Sequence, residues 1–447
     1  SGERFRVARR TCAKSGKAAL FRCLEAPRFV NFHVQAHEAV QQALVPGFTL
    51  PNARSDRELK TGIIMVVYPK VVASAFATIR VLRNVLDCRL PIEIWFRPDE
   101  MRKVTAAIEP LQQLAQNDSI GLTFHEIDDP LAIEFAAKVH AIYHSFFDRV
   151  LFLDSDNVPV RDPSFLFETS EFVETGAVFW PDLWHPDHTT FFLHGDSLLW
   201  ELLDLPFVDM FEQESGQLLI DRRRHAVSLE LVHFFTFHRP NLFSQLKLVW
   251  GDKDLFRLAW LKLKTPFHMI ATPPAMAGKF VNQTFCGMTM VQHDAQGNVL
   301  FLHRNSLKLT GGGTHKPVNP KLEAMRRERK NRLRDNGSPE GEETPAGTLE
   351  ADGYPDPVIW THLLSFRNTS RRSDYKIETY HVVLKSPKEQ VCYGQRSLDS
   401  NQHFYTQEIA ELSFAGLETE LRRFATEATQ LHQNRLDAQA AAQQPGK

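Results

Sequence analysis

Arg149-Val-Leu-Phe-Leu-Asp-Ser-Asp-Asn157 decides the reading of this chain. Val150 to Leu153 is a short apolar run and reads as a buried strand. It ends abruptly in two carboxylates, Asp154 and Asp156. Open α/β sheets place ligands beyond the carboxyl ends of their strands. Two acids there make a hard oxygen site for manganese or magnesium, with water and substrate phosphates as the remaining ligands. Alone, Asp-x-Asp fits a solvated turn better than a site. The strand before it and the Asn157-Val-Pro-Val-Arg-Asp-Pro163 turn after it favour the site, and with it chemistry on a nucleotide diphosphate.

The chain has 447 residues, 43% hydrophobic and 24% charged, which is room for one large domain or two to three smaller ones. A formal net charge of -2 lacks the global basic footprint of a nucleic-acid binder. The 33 phenylalanines fit an aromatic core, with a groove for sugar rings as the second reading. Cysteines stand at 12, 23, 88, 286 and 392, without a C-x-x-C pair, which argues against structural zinc. One or two disulfides are allowed, and the sequence does not choose them. Sequons at Asn117, Asn282, Asn336 and Asn368 permit a secretory location. No run of about 18 apolar residues exists to span a membrane. The start, Ser1-Gly-Glu-Arg, has no apolar leader. The expectation is the soluble part of a longer protein.

Composition marks four segments. Residues 1–60 read as a stem or N-terminal layer, with a basic helix over Phe5 to Phe29 and helical spacing over His33 to Leu44. Residues 61–310 alternate strand and helix. Strands are expected at Gly62–Tyr68, Leu90–Phe96, Leu122–Ile127 and Val150–Leu153. Helices are expected at Ala73–Leu86, Asp99–Leu114 and Leu131–Phe146. This alternation predicts an α/β fold with a mostly parallel sheet and helices on both faces. Further on, strands are expected at Ala177–Trp180 and Leu218–Ile220, and helices at Ala226–Phe237 and Lys253–Leu263. Phe285–His293 and Val299–His303 read as a hairpin. No G-x-G-x-x-G, Walker A or G-x-S-x-G motif is present. Residues 311–357 read as an exposed, partly disordered insertion with a basic stretch from Lys321 to Arg334. Residues 358–447 read as a C-terminal segment packing on the catalytic domain, strand-like over Trp360–Cys392 and helical over Gln407–Ala442.

Several later segments carry groups suited to a sugar donor. Glu214-Ser-Gly-Gln217 puts small residues before an apolar strand, permitting close approach of a ligand. Gly251-Asp-Lys-Asp254 places charges at a helix start, where Asp252 is also a reasonable N-cap. Phe301-Leu-His-Arg-Asn-Ser-Leu-Lys308 ends a strand in His and Lys. Trp180 and Trp184 fit either a sugar face or the core. Arg222-Arg-Arg-His225 fits a solvated turn, or contact with an anionic acceptor.

Together these pieces resemble the fungal-type α-mannosyltransferases of the Golgi. The matching stretches are Gly62-Ile-Ile-Met-Val-Val67, Leu82-Arg83 with Leu90-Pro-Ile-Glu-Ile-Trp95, Lys138-Val-His-Ala-Ile142 and Leu153-Asp-Ser-Asp-Asn-Val158. They continue through Phe179-Trp-Pro-Asp182, Glu214-Ser-Gly-Gln217, Gly251-Asp-Lys253 and Phe301-Leu-His303. The order is the expected one over residues 60 to 310. Tyr68-Pro-Lys-Val71 departs from the family, which would carry a glycine near the nucleotide.

The resemblance implies the glycosyltransferase A fold and retaining transfer from GDP-mannose to a mannose-containing glycan on a glycoprotein. It also implies a Golgi lumen enzyme of type II topology, its anchor outside this chain. Asp154 and Asp156 would hold manganese or magnesium, and His303 would be the third protein ligand. Lys138 and Lys308 would neutralise the diphosphate, while Ser155 and Asp252 would contact the donor. Glu214 would stabilise or attack the anomeric carbon, and Asp182 would hydrogen-bond sugar hydroxyls. The rival readings are a retaining transferase of a UDP-sugar (galactose, glucose or xylose) and a non-catalytic glycan binder on the same fold. A two-metal hydrolase is disfavoured, because no second ligand cluster is evident.

Overall fold

The computed structural model describes residues 17–53, 58–116, 120–190, 193–312, 349–385, 388–398 and 401–443. The segment 313–348, and with it most of the expected insertion, lies outside the described residues, as do Asn117, Asn336 and Cys12.

In chain order the elements are α1 (Lys17–Ala43), β1 (Thr61–Val67), α2 (Val72–Asn84), β2 (Ile92–Phe96), α3 (Pro98–Met101), α4 (Glu109–Ala115) and β3 (Leu122–Glu126). Then come α5 (Ala136–His144), β4 (Arg149–Leu153), β5 (Asn157–Pro159), α6 (Ser170–Thr175), β6 (Ala177–Pro181), α7 (Leu198–Leu203) and β7 (Gln213–Asp221). The run continues with α8 (Ala226–Phe237), α9 (Leu242–Gln245), α10 (Leu255–Leu263), β8 (His268–Met269), β9 (Ala275–Val281), β10 (Thr284–His293) and β11 (Val299–His303). It closes with β12 (His362–Phe366), β13 (Glu378–Lys385), β14 (Lys388–Gly394), β15 (Phe404–Glu408) and α11 (Leu417–Gln443).

Most expected strands and helices are present, and the departures have local causes. The helix expected over Asp99–Leu114 is two short ones, α3 and α4. Pro110 has no N–H to donate and sits in the first turn of α4, where that loss costs nothing. Ala106 at φ 54° turns the chain before it. The helix expected from Leu131 starts only at Ala136. Asp129 takes the Leu131 N–H at 2.8 Å in a turn, and Glu134 stands at φ 50°. Glu214-Ser-Gly-Gln217 lies inside β7, not before it. Gln407 belongs to β15, and the last helix begins after Gly416 at φ 84°. Among the described residues no helix is long and apolar enough to cross a membrane.

The chain forms two compact units, each assembled from separate segments: 17–64, 129–152 and 166–271 in the first, 65–128, 153–165 and 272–443 in the second. This division follows packing and is distinct from the four segments marked by composition. In the first unit β1 starts parallel to β4, with Thr61 opposite Arg149 and Ile64 opposite Phe152. There β6 runs antiparallel to β7 and parallel to β8. Ile63, Ile64, Val150, Leu151 and Phe152 are fully buried, as a strand covered on both faces requires. Arg222, read as solvated, is wholly buried: its guanidinium donates to the carbonyls of Phe147, Pro51 and Tyr143. Arg223 pairs with buried Asp148 at 2.9 Å. Arg222 is therefore an internal brace, which corrects the solvated reading for that residue, while Arg224 of the same turn stays exposed.

In the second unit β2 and β3 are parallel, and α2 packs against α11. A second sheet runs β13-β14-β10-β9-β12-β15, antiparallel throughout, with β11 pairing both β10 and β5. The expected hairpin is therefore present as β10 and β11. Asp294 fixes its turn by accepting the N–H groups of Gln296 (3.0 Å) and Asn298 (2.8 Å). A disulfide joins Cys286 to Cys392, and Cys88 is free and buried.

Candidate active site

In the second unit the end of β4 delivers Asp154 and Asp156, and β11 delivers His303. The link is β5, which follows the two acids directly and pairs His303 with Asn157. His303 Nε2 consequently lies 3.5 Å from Asp156 Oδ1 and 3.8 Å from Asp154 Oδ2. The next residue holds this strand end in place. Arg304 N–H donates to the Asp156 carbonyl at 2.9 Å. Its buried guanidinium donates to Glu418 at 2.6 Å and to the Pro357 carbonyl at 2.9 Å. Glu418 in turn accepts the N–H groups of Ile359 and Trp360, both at 2.9 Å.

Lys308 reaches the same place, donating to Asp156 Oδ2. Ser155 turns the other way. Its hydroxyl donates to the Val66 carbonyl at 2.7 Å, and its own carbonyl accepts from Thr78. Ser155 thus ties the acidic turn to the end of β1. Tyr68, which opens the stretch lacking the expected glycine, is 38% exposed just beyond β1. Burial, then the charges of Asp154 and Glu100, raise its phenol pKa.

The first unit collects the remaining expected residues. Lys138 on α5 is buried, with its ammonium 2.7 Å from the Ser215 carbonyl, 3.1 Å from the Ser215 hydroxyl and 3.2 Å from Asp252 Oδ2. It also lies 5.0 Å from the centroid of the Phe152 ring. Lys138 and Asp252 are therefore brought together as a pair. Asp252 does not cap α10. That position is Asp254, at φ 69° and without a side-chain cap bond. Gly251, at φ 62°, lies under the Phe135 ring, where a Cβ would come within 2.7 Å of ring carbons.

Beside it, Lys253 is the hub of an acidic cluster. Its ammonium is 2.7 Å from Asp182 Oδ2 and 3.9 Å from Asp254 Oδ2, and it also bonds Glu212. Burial lowers the lysine pKa, but Asp182, Asp254 and Glu212 more than offset that, and the net shift is upward. For Asp182, burial raises the pKa, and the charges of Glu214 and Glu212 add to it. The pull of Lys253 opposes them, and the result is about 7. Glu214 accepts the Gly216 N–H at 2.6 Å. Sequence reasoning missed Glu212 and gave Lys253 no role. The available signal was Lys253 standing between two acids. Trp180 and Trp184 are both buried, so the core reading holds for them.

The donor set fits a divalent cation. Two carboxylates and an imidazole suit manganese, and carboxylates with water suit magnesium. Ligand atoms bound at about 2.1 Å to one ion stand roughly 3 Å apart or a little more, close to the spacing of His303 Nε2 and Asp156 Oδ1. Asp154 keeps 30% of its side chain exposed, leaving an approach from solvent.

A strand-end Asp-x-Asp met by a strand-end histidine thus stands on an α/β fold with parallel strands. Residues 60–195 and 207–294 match the family described as mannosyltransferase, and the chain belongs to that family. It is 27% identical to the α-1,2-mannosyltransferase MNN2 of Saccharomyces cerevisiae, over 52% of this chain and 45% of that one. It is 25% identical to MNN5 of the same yeast, over 55% and 51%. The chain spans about half the length of these curated relatives. Among solved structures, the mannosyltransferase Ktr4p of S. cerevisiae overlays with a TM-score of 0.31 at 11% identity, over 52% of this chain and 76% of that one.

Proposed function

We propose that this chain is the catalytic part of a metal-dependent, retaining α-mannosyltransferase. It moves mannose from GDP-mannose to a mannose-containing glycan on a glycoprotein. The observation that carries the reading is the meeting of Asp154 and Asp156, inside a stretch that matches the mannosyltransferase family, with His303, which lies just beyond the matched residues. The relatives' names support an α-1,2 linkage. The Cys286–Cys392 disulfide supports an oxidising compartment, and with it the Golgi lumen. Type II anchoring by a segment outside these residues belongs to the same proposal.

A bound manganese or magnesium ion would supply Lewis-acid stabilisation of the leaving diphosphate. Asp154, Asp156 and His303 would hold it. Lys308 screens Asp156 and offers a point charge to a phosphate. Lys138 is committed to Ser215 and Asp252, so its role is to fix β7 and to hold Asp252, the proposed donor contact, in place. Asp182, held by Lys253, is the hydrogen-bond partner for sugar hydroxyls. Glu214 is the carboxylate assigned to the anomeric centre, as nucleophile or as stabiliser of an oxocarbenium-like state. The test is incubation with GDP-mannose, manganese and an α-mannoside acceptor, with the product analysed for the anomer formed. A new α-mannosidic bond supports the reading. Transfer only from a UDP-sugar, or from no donor, overturns it.

A further inference from the structure

The β9–β10 hairpin carries a sequon that the catalytic reading does not use. Its two turn residues, Asn282 and Gln283, are exposed and stand at φ 48° and 65°, the two-residue pattern that matches strand twist. Thr284 opens β10 opposite Val281, completing Asn282-Gln283-Thr284 at the tip. Asparagine suits a left-handed turn, which accounts for Asn282 by itself. The turn accounts neither for Thr284 nor for Phe280. Phe280 is 40% exposed, two residues before the asparagine. Its ring meets His362 at 4.9 Å and Phe285 at 5.8 Å between centroids, both edge-on. Those contacts hold the ring in place, exposed beside the turn.

We propose that Asn282 is N-glycosylated and that the first N-acetylglucosamine packs its apolar face on the Phe280 ring. The proposal rests on the secretory placement in the functional reading. The co-reactant is a lipid-pyrophosphate oligosaccharide. The C1–O bond from its reducing-end sugar to pyrophosphate breaks, and a bond from C1 to Asn282 Nδ2 forms. The amide gives up one proton to a base of the transferring enzyme, and the lipid pyrophosphate leaves.

The surroundings suit a fixed, outward-facing attachment. Cys286–Cys392 staples β10 to β14 close behind the tip. Gly278 and Gly287 leave no room for side chains there: a Cβ on Gly278 would fall 2.1 Å from the Cys286 carbonyl oxygen, and one on Gly287 2.2 Å from that of Tyr393. Met290 is the β10 partner of His303, which places the tip about 20 Å along the strand from the metal ligands. A glycan there leaves those ligands clear. The other described sequon differs. At Asn368-Thr369-Ser370 the preceding aromatic, Phe366, is spent on Tyr375 and Phe404, and the Ser370 hydroxyl bonds His403.

The test is to pass the full chain through a eukaryotic secretory pathway beside Thr284→Val, which keeps a β-branched residue in the strand. We expect the Asn282 peptide to carry a glycan removable by peptide N-glycosidase, and Thr284→Val to lose it. An unmodified Asn282 in folded, secreted protein overturns the proposal. Removing the glycan enzymatically should lower Tm in the parent and leave it unchanged in Phe280→Ser. An unchanged Tm in the parent overturns the packing on Phe280, whether or not that variant folds. Mannosyl transfer measured on the same preparations fails or succeeds separately, so loss of the functional reading is distinguishable from loss of this one.

Discussion

His303 Nε2 stands 3.5 Å from Asp156 Oδ1, although the two residues lie far apart in the sequence. The pairing of β5 with β11 brings them together, because β5 begins at the residue after Asp156. Asp156→Asn keeps the shape and removes the charge. Transfer should fall at least about 100-fold, as when transition-state charge loses a main stabiliser, while circular dichroism and Tm stay near the parent's. Undiminished turnover would remove Asp156 from the metal site.

Loss of the imidazole should act differently. His303→Ala leaves two carboxylates, so the manganese concentration for half-maximal activity should rise about tenfold or more. A manganese titration of activity checks this. An unchanged requirement would make His303 a packing residue.

Lys253 holds three buried acids in one cluster. Lys253→Met leaves them without their shared cation and should cost roughly 3–5 kcal/mol of stability. Denaturant unfolding measures this, and a loss under about 1 kcal/mol would contradict the assigned geometry.

Asp182 predicts a pH dependence. Its folded pKa of about 7 lies above the unfolded value of roughly 3.9. Between those values the folded protein keeps a proton that the unfolded chain releases. This contribution therefore favours the fold at the acid end and is lost as pH rises through about 7. Asp182→Asn does not titrate, so its Tm relative to the parent should climb between about pH 5 and pH 8. A constant difference would contradict the raised pKa.

The segment outside the described residues can be tested by removal. Asp356 accepts the N–H groups of Thr310 and Gly311, so the two flanks of the segment are tied together within the second unit. Asp352 pairs with buried Arg422, so the cut should stop before it. Deleting 316–348 with a short Gly/Ser join should leave fold and transfer largely in place. A folded but inactive product would give the segment a part in acceptor binding.

Much of this was legible in the sequence. Apolar runs such as Ile63–Val67 and Val150–Leu153 have one reading when covered on both faces. Abrupt acids at the end of such a run mark a strand end, so Asp154 and Asp156 could be placed. The Lys253 cluster was not legible, because it is built from β6, β7 and the start of α10, and no local pattern links Asp182 to Lys253. Arg222 misled for a related reason. Three arginines in a row look solvated, and only the fold supplies the three carbonyls that satisfy the first. Asp252 looked like a cap because it precedes a helix, but the turn at Gly251 and Asp254 gives it to Lys138 instead.

The most direct measurement is thermal stabilisation by GDP-mannose with manganese, set beside UDP-galactose, UDP-glucose and UDP-xylose, with and without chelator. A Tm rise confined to GDP-mannose, abolished by chelator and by Asp156→Asn, is the predicted result. A rise with a UDP-sugar, or one with GDP-mannose that survives chelation, would contradict the account.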